Sequence, residues 1–149
     1  MALVKIRGVL DGCHEDEKVA IRGWVYRKRK GKKLIFLLVR DSTGFIQCTI
    51  KKNSPAWNEA ERLTIESSLT IEGTAIPDER APGGHEIAAE SISIIGLAEL
   101  FPITKDQSEQ FIRDVRHLWL RSRRMNLIMK LRASVLEFAR DFFKSKDFT

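Results

Sequence analysis

With 149 residues, 43% of them hydrophobic and 31% charged, and only 4 Pro and 9 Gly, the chain reads as one globular domain, or one domain and the start of another, and not as a disordered segment. No run of about 18 uninterrupted apolar residues occurs, which excludes a transmembrane helix, and two cysteines without CxxC spacing exclude a disulfide scaffold and most zinc modules. The net charge of +6 is striped, with 13 basic against 5 acidic residues in 5–52, 3 against 11 in 53–112 and 10 against 3 in 113–146, so each basic block is a candidate face for a polyanion.

The opening MALVKIRGVLDG has charges at Lys5 and Arg7 and no leader-like apolar run, so a cytoplasmic protein is expected. Cys13-His14-Glu15-Asp16 reads as a hydrophilic turn. Strand alternation begins at Val19: in 19–30, Val19, Ile21, Gly23 and Val25 share one face, with Ala20, Arg22, Trp24 and Tyr26 on the other. After the turn 31–33, residues 34–41 (LIFLLVRD) form a nearly continuous apolar strand, and after Asp41-Ser42-Thr43-Gly44 a third strand covers 45–52. A short helix is predicted next, capped by Asn53 or Ser54, with Pro55 in its first turn and Trp57, Ala60 and Leu63 on its apolar side. Alternation returns in 68–76, with Leu69, Ile71, Gly73 and Ala75 together. After the polar loop 77–84 a last strand covers 85–96, with Ile87, Ala89, Ser91 and Ser93 against Ala88, Ile92 and Ile94. Three strands, a helix and two strands is the order of a five-stranded OB-fold, a small Greek-key barrel. An SH3-like barrel or an open sheet fits the pattern less well.

The character changes near Glu99. The barrel is assigned to 1–98, a hinge containing Pro102 to 99–120, and a long helix to 121–149. Ile128, Leu131, Val135, Phe138 and Phe142 recur at helical spacing along that helix. The residues left after Phe142 cannot cover this stripe, so it awaits a second copy of the chain or sequence beyond Thr149. The chain is therefore expected to be part of a longer protein.

No GxxxxGK[ST], GxGxxG, HExxH or GxSxG motif is present, and His14, His85 and His117 are not at metal-ligand spacing. No catalytic or metal-binding residue is assigned. The nucleic-acid signal is stronger. Seven basic residues fall between Arg22 and Lys33, beside Trp24, Tyr26 and Phe36; cations hold phosphates and flat rings stack on unpaired bases. A solvated hairpin tip explains the charges equally well. For Phe36, periodicity alone leaves open a core position or a stacking one.

The segment GWVYRKRKGKKLIFLLVRDSTGFIQCTI (23–50) resembles the anticodon-binding OB domain of the class IIb aminoacyl-tRNA synthetases, the aspartyl, asparaginyl and lysyl group. Residues 101–124, FPITKDQSEQFIRDVRHLWLRSRR, resemble the hinge into their catalytic domain, and RHLWLRS (116–122) and APGGHEI (81–87) are closest to the asparaginyl branch. Trp119 separates that branch from the aspartyl one, which usually has Asp there. Residues 124–148 resemble the helix of motif 1, the class II dimerisation element. The resemblance implies that Phe36 stacks on the middle anticodon base, a uracil, that Gln47 hydrogen-bonds it, and that Arg29, with Arg27 second, contacts the anticodon. Lys28, Lys30 and Lys33 are then candidate phosphate contacts. Ile128, Leu131, Val135 and Phe138 would line a homodimer interface. The parent enzyme would use ATP and Mg²⁺ to attach asparagine to its tRNA, whereas the 149 residues by themselves lack the ATP-binding motifs and are expected to be inactive. The alternatives are the aspartyl enzyme, a stand-alone OB-fold that binds single strands without preference, and a dimerisation module.

Overall fold

The computed structural model describes residues 3–104 and 107–148, which fall into two compact units divided between Phe101 and Pro102. The first unit contains β1 (Lys18–Lys30), β2 (Leu34–Arg40), β3 (Phe45–Lys51), β4 (Ser68–Pro77) and β5 (His85–Gly96), closed into a barrel in the order β1-β2-β3-β5-β4. The 13-residue β1 serves two neighbours: Lys18–Trp24 pair with β4, and Trp24–Lys30 pair with β2. A parallel pairing of β3 with β5 closes the wall. This is the OB-fold that the strand order predicted.

The period-2 pattern fills the barrel. Ile35, Leu37 and Val39 from β2, Ile46, Cys48 and Ile50 from β3, and Leu69, Ile71 and Ala75 from β4 are fully buried. Each large aliphatic among them contributes about 1.5–3 kcal/mol by leaving water. Gly73 belongs to the same face for a steric reason, since a Cβ there would lie 2.2 Å from the Ala88 carbonyl oxygen of the neighbouring strand.

Three register shifts interrupt the strand pairing, and two of them, both β-bulges, alter the sequence reading. In β5 the partners step from Ser91 to Ala89 while β4 advances one residue, from Glu72 to Gly73. Glu90 is the extra residue. Beyond it the faces exchange, so Ile92 is buried where simple alternation puts Ser91 and Ser93 inside. In β1, Val25 faces Val39 but Arg27 faces Leu38, which leaves Tyr26 extra. This second bulge shapes the site.

Two short helices complete the core. Sequence patterning leaves α1 (Ile6–Leu10) out, although its Ile6 and Val9 are buried. Lys5, at its N-cap, makes no side-chain cap. The cap comes from the β2–β3 turn instead: the Ile6 N–H donates to Asp41 Oδ2 at 3.1 Å and the Arg7 N–H to Thr43 Oγ1 at 3.1 Å. Burial pushes the Asp41 carboxyl up, but hydrogen bonds from the Thr43 hydroxyl and the Ile6, Thr43 and Gly44 amides outweigh it and hold the group below the usual carboxylate range. The predicted second helix, α2 (Trp57–Arg62), starts after Ala56, later than the expected Asn53 or Ser54 cap. Ser54 is engaged in the preceding turn, accepting from the Ala56 N–H at 3.2 Å, while Trp57 and Ala60 are buried.

The second unit holds α3 (Glu109–Asp114), α4 (Arg116–Trp119) and α5 (Arg123–Lys144). Ser108 and Ser122 cap α3 and α5, accepting from the N–H groups of Phe111 at 3.2 Å and Met125 at 3.3 Å. No residue of these helices is buried. The stripe on α5 is exposed throughout, up to 72% at Phe138. No helix of the described residues is long and apolar enough to cross a membrane.

Candidate nucleic-acid interface

The site is built from the outward-facing residues of β1, β2, β3 and β5. Cross-strand partners share a face, so the pairing register lays the side chains out in two rows. Arg27, Leu38, Gln47 and Glu86 form one row, and Arg29, Phe36, Thr49 and Ala88 form the next. The bulge at Tyr26 makes these rows possible. Without it, Arg27 and Arg29 would continue on the face of Val25 and point into the barrel.

The rows floor a cleft of about 820 Å³, whose far wall is the β4–β5 loop with Asp78, Arg80 and Pro82. Phe36 is half-buried, with Arg29 Cζ 5.4 Å from the ring centre. Gln47 is also half-buried, and its amide Nε2 donates to Glu86 Oε2 at 2.8 Å. The Thr49 hydroxyl donates to the same oxygen at 2.7 Å. Glu86 is only 8% exposed. The cleft thus offers one aromatic platform, one amide and a guanidinium rim formed by Arg27, Arg29 and the exposed Arg80. Arg80 is tied to Asp78 through its backbone N–H at 2.9 Å, the chief reason that carboxyl lies below the usual range.

The structure brings Phe36, Gln47, Arg27 and Arg29 together, and it turns two of the predicted phosphate contacts another way. Lys28 borders the cleft, but its ammonium donates to the carbonyls of Glu61 at 2.7 Å and Leu63 at 2.8 Å, at the C-terminal end of α2. Partial burial lowers its pKa, opposed by the Glu61 charge and assisted by Lys30. Lys30 is paired with Glu61 at 2.5 Å. Once the bulge has flipped the alternation, these lysines occupy the opposite face from Arg27 and Arg29. Lys33 is exposed at the hairpin tip. Trp24 and Tyr26, the other rings beside the basic run, lie outside the cleft lining: Trp24 is stacked under Arg40, and Tyr26 packs edge-on against Phe45.

A family model for the tRNA anticodon type of OB-fold nucleic acid binding domain matches residues 19–95, more than half the chain. The chain belongs to that family. The asparagine–tRNA ligase of Thermoplasma acidophilum is 43% identical over 144 residues, covering 95% of this chain and 34% of that protein. The asparagine–tRNA ligase of Thermococcus kodakarensis is 46% identical over 130 residues, covering 86% and 30%. Among solved structures, asparaginyl-tRNA synthetase from Pyrococcus horikoshii complexed with asparaginyl-adenylate superposes with a TM-score of 0.86 at 33% identity, covering 98% of this chain and 35% of that one. The chain therefore spans about a third of the length of the curated relatives it matches.

Against this anticodon-type domain, three cleft residues stand out that sequence reading passed over: Glu86, Thr49 and Arg80. Glu86 and Thr49 join Gln47 through the parallel β3–β5 pairing, between strands 39 residues apart at Gln47 and Glu86. No local pattern signals that register. Arg80 sits in the polar loop before β5, where only the loop's closeness to Phe36 gives it meaning.

Proposed function

We propose that this chain is the anticodon-reading end of an asparagine–tRNA ligase. The observation that carries the reading is the convergence of Phe36, Gln47, Arg27 and Arg29 on one outer wall, in a cleft large enough for unpaired nucleotides. The ring of Phe36 stacks on the middle anticodon base, contributing about 1–3 kcal/mol. The amide of Gln47 supplies an acceptor and a donor to the base edge, and the guanidinium groups of Arg27, Arg29 and Arg80 hold phosphate or a flanking base. The identities to asparagine–tRNA ligases, 43% and 46%, support asparagine over aspartate as the amino acid.

Catalysis is assigned to the parent enzyme, which would consume ATP with Mg²⁺. Among the described residues no three His, Cys, Asp or Glu side chains gather as a metal site requires, so no step through Mg²⁺ is built on them. In the same reading the exposed stripe of α5 meets its counterpart in a second subunit. Affinity for the anticodon stem-loop of asparagine tRNA, compared with the same loop carrying adenine in place of the middle uracil, tests the proposal. A loss of about tenfold or more is expected from a lost stack and base-edge contact. Equal affinity for both loops and for an unrelated single strand would instead describe a sequence-tolerant binder.

A further inference from the structure

We infer that the N-terminal helix α1 and the turn after it brace the β4–β5 loop, with Leu10 and Glu15 as positioning residues that hold Arg80 at the cleft. The inference rests on the proposed function above, in which Arg80 belongs to the guanidinium rim. The loop is knit internally. The Asp78 N–H donates to the Gly84 carbonyl at 3.0 Å, the Ala81 N–H to the Asp78 carbonyl at 2.9 Å, and the Gly84 N–H to the Ala81 carbonyl at 3.0 Å. Arg80 joins the same unit through its own N–H bond to Asp78. A loop closed on itself keeps its shape, but its place opposite Phe36 depends on what touches it from outside.

Two contacts from the N-terminal segment supply that placement. Leu10, at the end of α1, lies between two glycines: a Cβ at Gly44 would be 3.3 Å from its Cδ1, and a Cβ at Gly83 would be 2.8 Å from its Cδ2. Its side chain is therefore a wedge between the β2–β3 turn and the β4–β5 loop. Because Asp41 and Thr43 fix α1 to that turn, the wedge has a firm seat. Glu15 Oε1 accepts from His85 Nε2 at 3.0 Å, where the loop enters β5. The turn that carries Glu15 is pinned to β4, the Asp16 N–H donating to the Ala75 carbonyl at 2.8 Å and the Ala75 N–H to the Glu17 carbonyl at 3.0 Å. His85 Nδ1 is buried without a hydrogen-bond partner among the described residues. A proton there would be an unmet buried donor, which favours the tautomer whose proton sits on Nε2, aimed at Glu15.

Affinity of the 149-residue chain for the asparagine anticodon stem-loop tests this in a double-mutant cycle against Arg80. Arg80→Ala should weaken binding about tenfold, and Leu10→Ala and Glu15→Ala about threefold each. With Arg80→Ala already present, the same two changes should weaken it by less than about 1.5-fold, because a displaced loop then has no guanidinium to misplace. Glu15→Gln, which keeps an acceptor for His85 Nε2, should bind as wild type does. Brace variants that bind like wild type, or that lose the same factor with and without Arg80, would overturn the inference, since in the second case they act on the barrel in general. Arg80→Ala with unchanged affinity would overturn it too, and Glu15→Gln as weak as Glu15→Ala would overturn the tether from Glu15. Wild type that binds an unrelated hairpin as tightly would overturn the anticodon reading itself, a separate result. Should Leu10→Ala fail to fold by circular dichroism, Leu10→Val is read by the same cycle, and Glu15→Ala, at an exposed side chain, completes the test by itself.

Discussion

Replacing Phe36 by alanine separates the cleft's function from the barrel's stability. The ring lies on the outer face of β2 between the fully buried Ile35 and Leu37, and it is half-buried itself. Complete burial of a phenylalanine contributes about 1.5–3 kcal/mol. A half-buried ring that also loses its guanidinium partner, a contact of about 0.5–1 kcal/mol, should therefore cost about 1–2 kcal/mol. For a barrel of this size each kcal/mol lowers the melting temperature by about 4–8 °C, so the variant remains folded. Leu37→Ala, one position along and facing inward, should cost about 2–5 kcal/mol and serves as the core control. Binding changes more than stability does. Losing a stack of about 1–3 kcal/mol weakens the stem-loop Kd by about 5- to 150-fold. Fluorescence anisotropy with a labelled stem-loop reads this, and a loop with an abasic middle position completes a double-mutant cycle. With no base to stack on, Phe36→Ala should add almost nothing. If the variant weakened the abasic loop as much as the natural one, or bound the natural loop within twofold of wild type, the stacking argument would fail.

Three other predictions concern charge and assembly. Arg29→Gln should lower the slope of log K against log salt by about 0.7 if it removes one phosphate contact, whereas Lys28→Gln, whose ammonium is engaged by the α2 carbonyls, should leave the slope unchanged; equal slopes for the two variants would contradict the assignment of faces. Asp41 has a folded-state pKa below its usual value, so its contribution is complete above the ordinary carboxylate range and is lost as pH falls through the folded value. Asp41→Asn should cost about 1–2 kcal/mol near neutral pH and progressively less below about pH 4, and a gap that stays constant in denaturant titrations from pH 7 to 3 would refute this. Phe138→Glu, on the exposed stripe of α5, should shift sedimentation from self-associated species to monomer, and a wild type that remains monomeric at high concentration would remove the dimer proposal.

The parts of this fold legible in the sequence were those whose causes are local. Strict alternation in β2 and β4 follows from one buried and one outer face, and Ser108 and Ser122 mark helix starts by their own side chains. What escaped has non-local causes. The cap of α1 comes from Asp41, 35 residues away from Ile6, so nothing beside the helix announces it. The bulges at Tyr26 and Glu90 depend on two strands pairing with one residue to spare, and they exchange faces without any change in composition. The bulge at Tyr26 divides a basic run that looks uniform on paper, placing Arg27 and Arg29 along the cleft that holds Phe36 and turning Lys28 and Lys30 toward α2. Phe36 and Gln47 came from the family resemblance, since periodicity alone left Phe36 undecided. Their partner Glu86 became visible only when β5 was laid beside β3.

The claim that the outer wall of β1, β2 and β3 is the RNA-binding face is tested most directly by mapping amide and side-chain NMR shifts of the chain as the anticodon stem-loop is added. Shifts should concentrate at Arg27, Arg29, Phe36, Gln47 and the 78–84 loop, with the Gln47 side-chain amide among the largest. Shifts gathered instead around Trp24 and Arg40 or along α5, with Phe36 and Gln47 unmoved, would contradict the account.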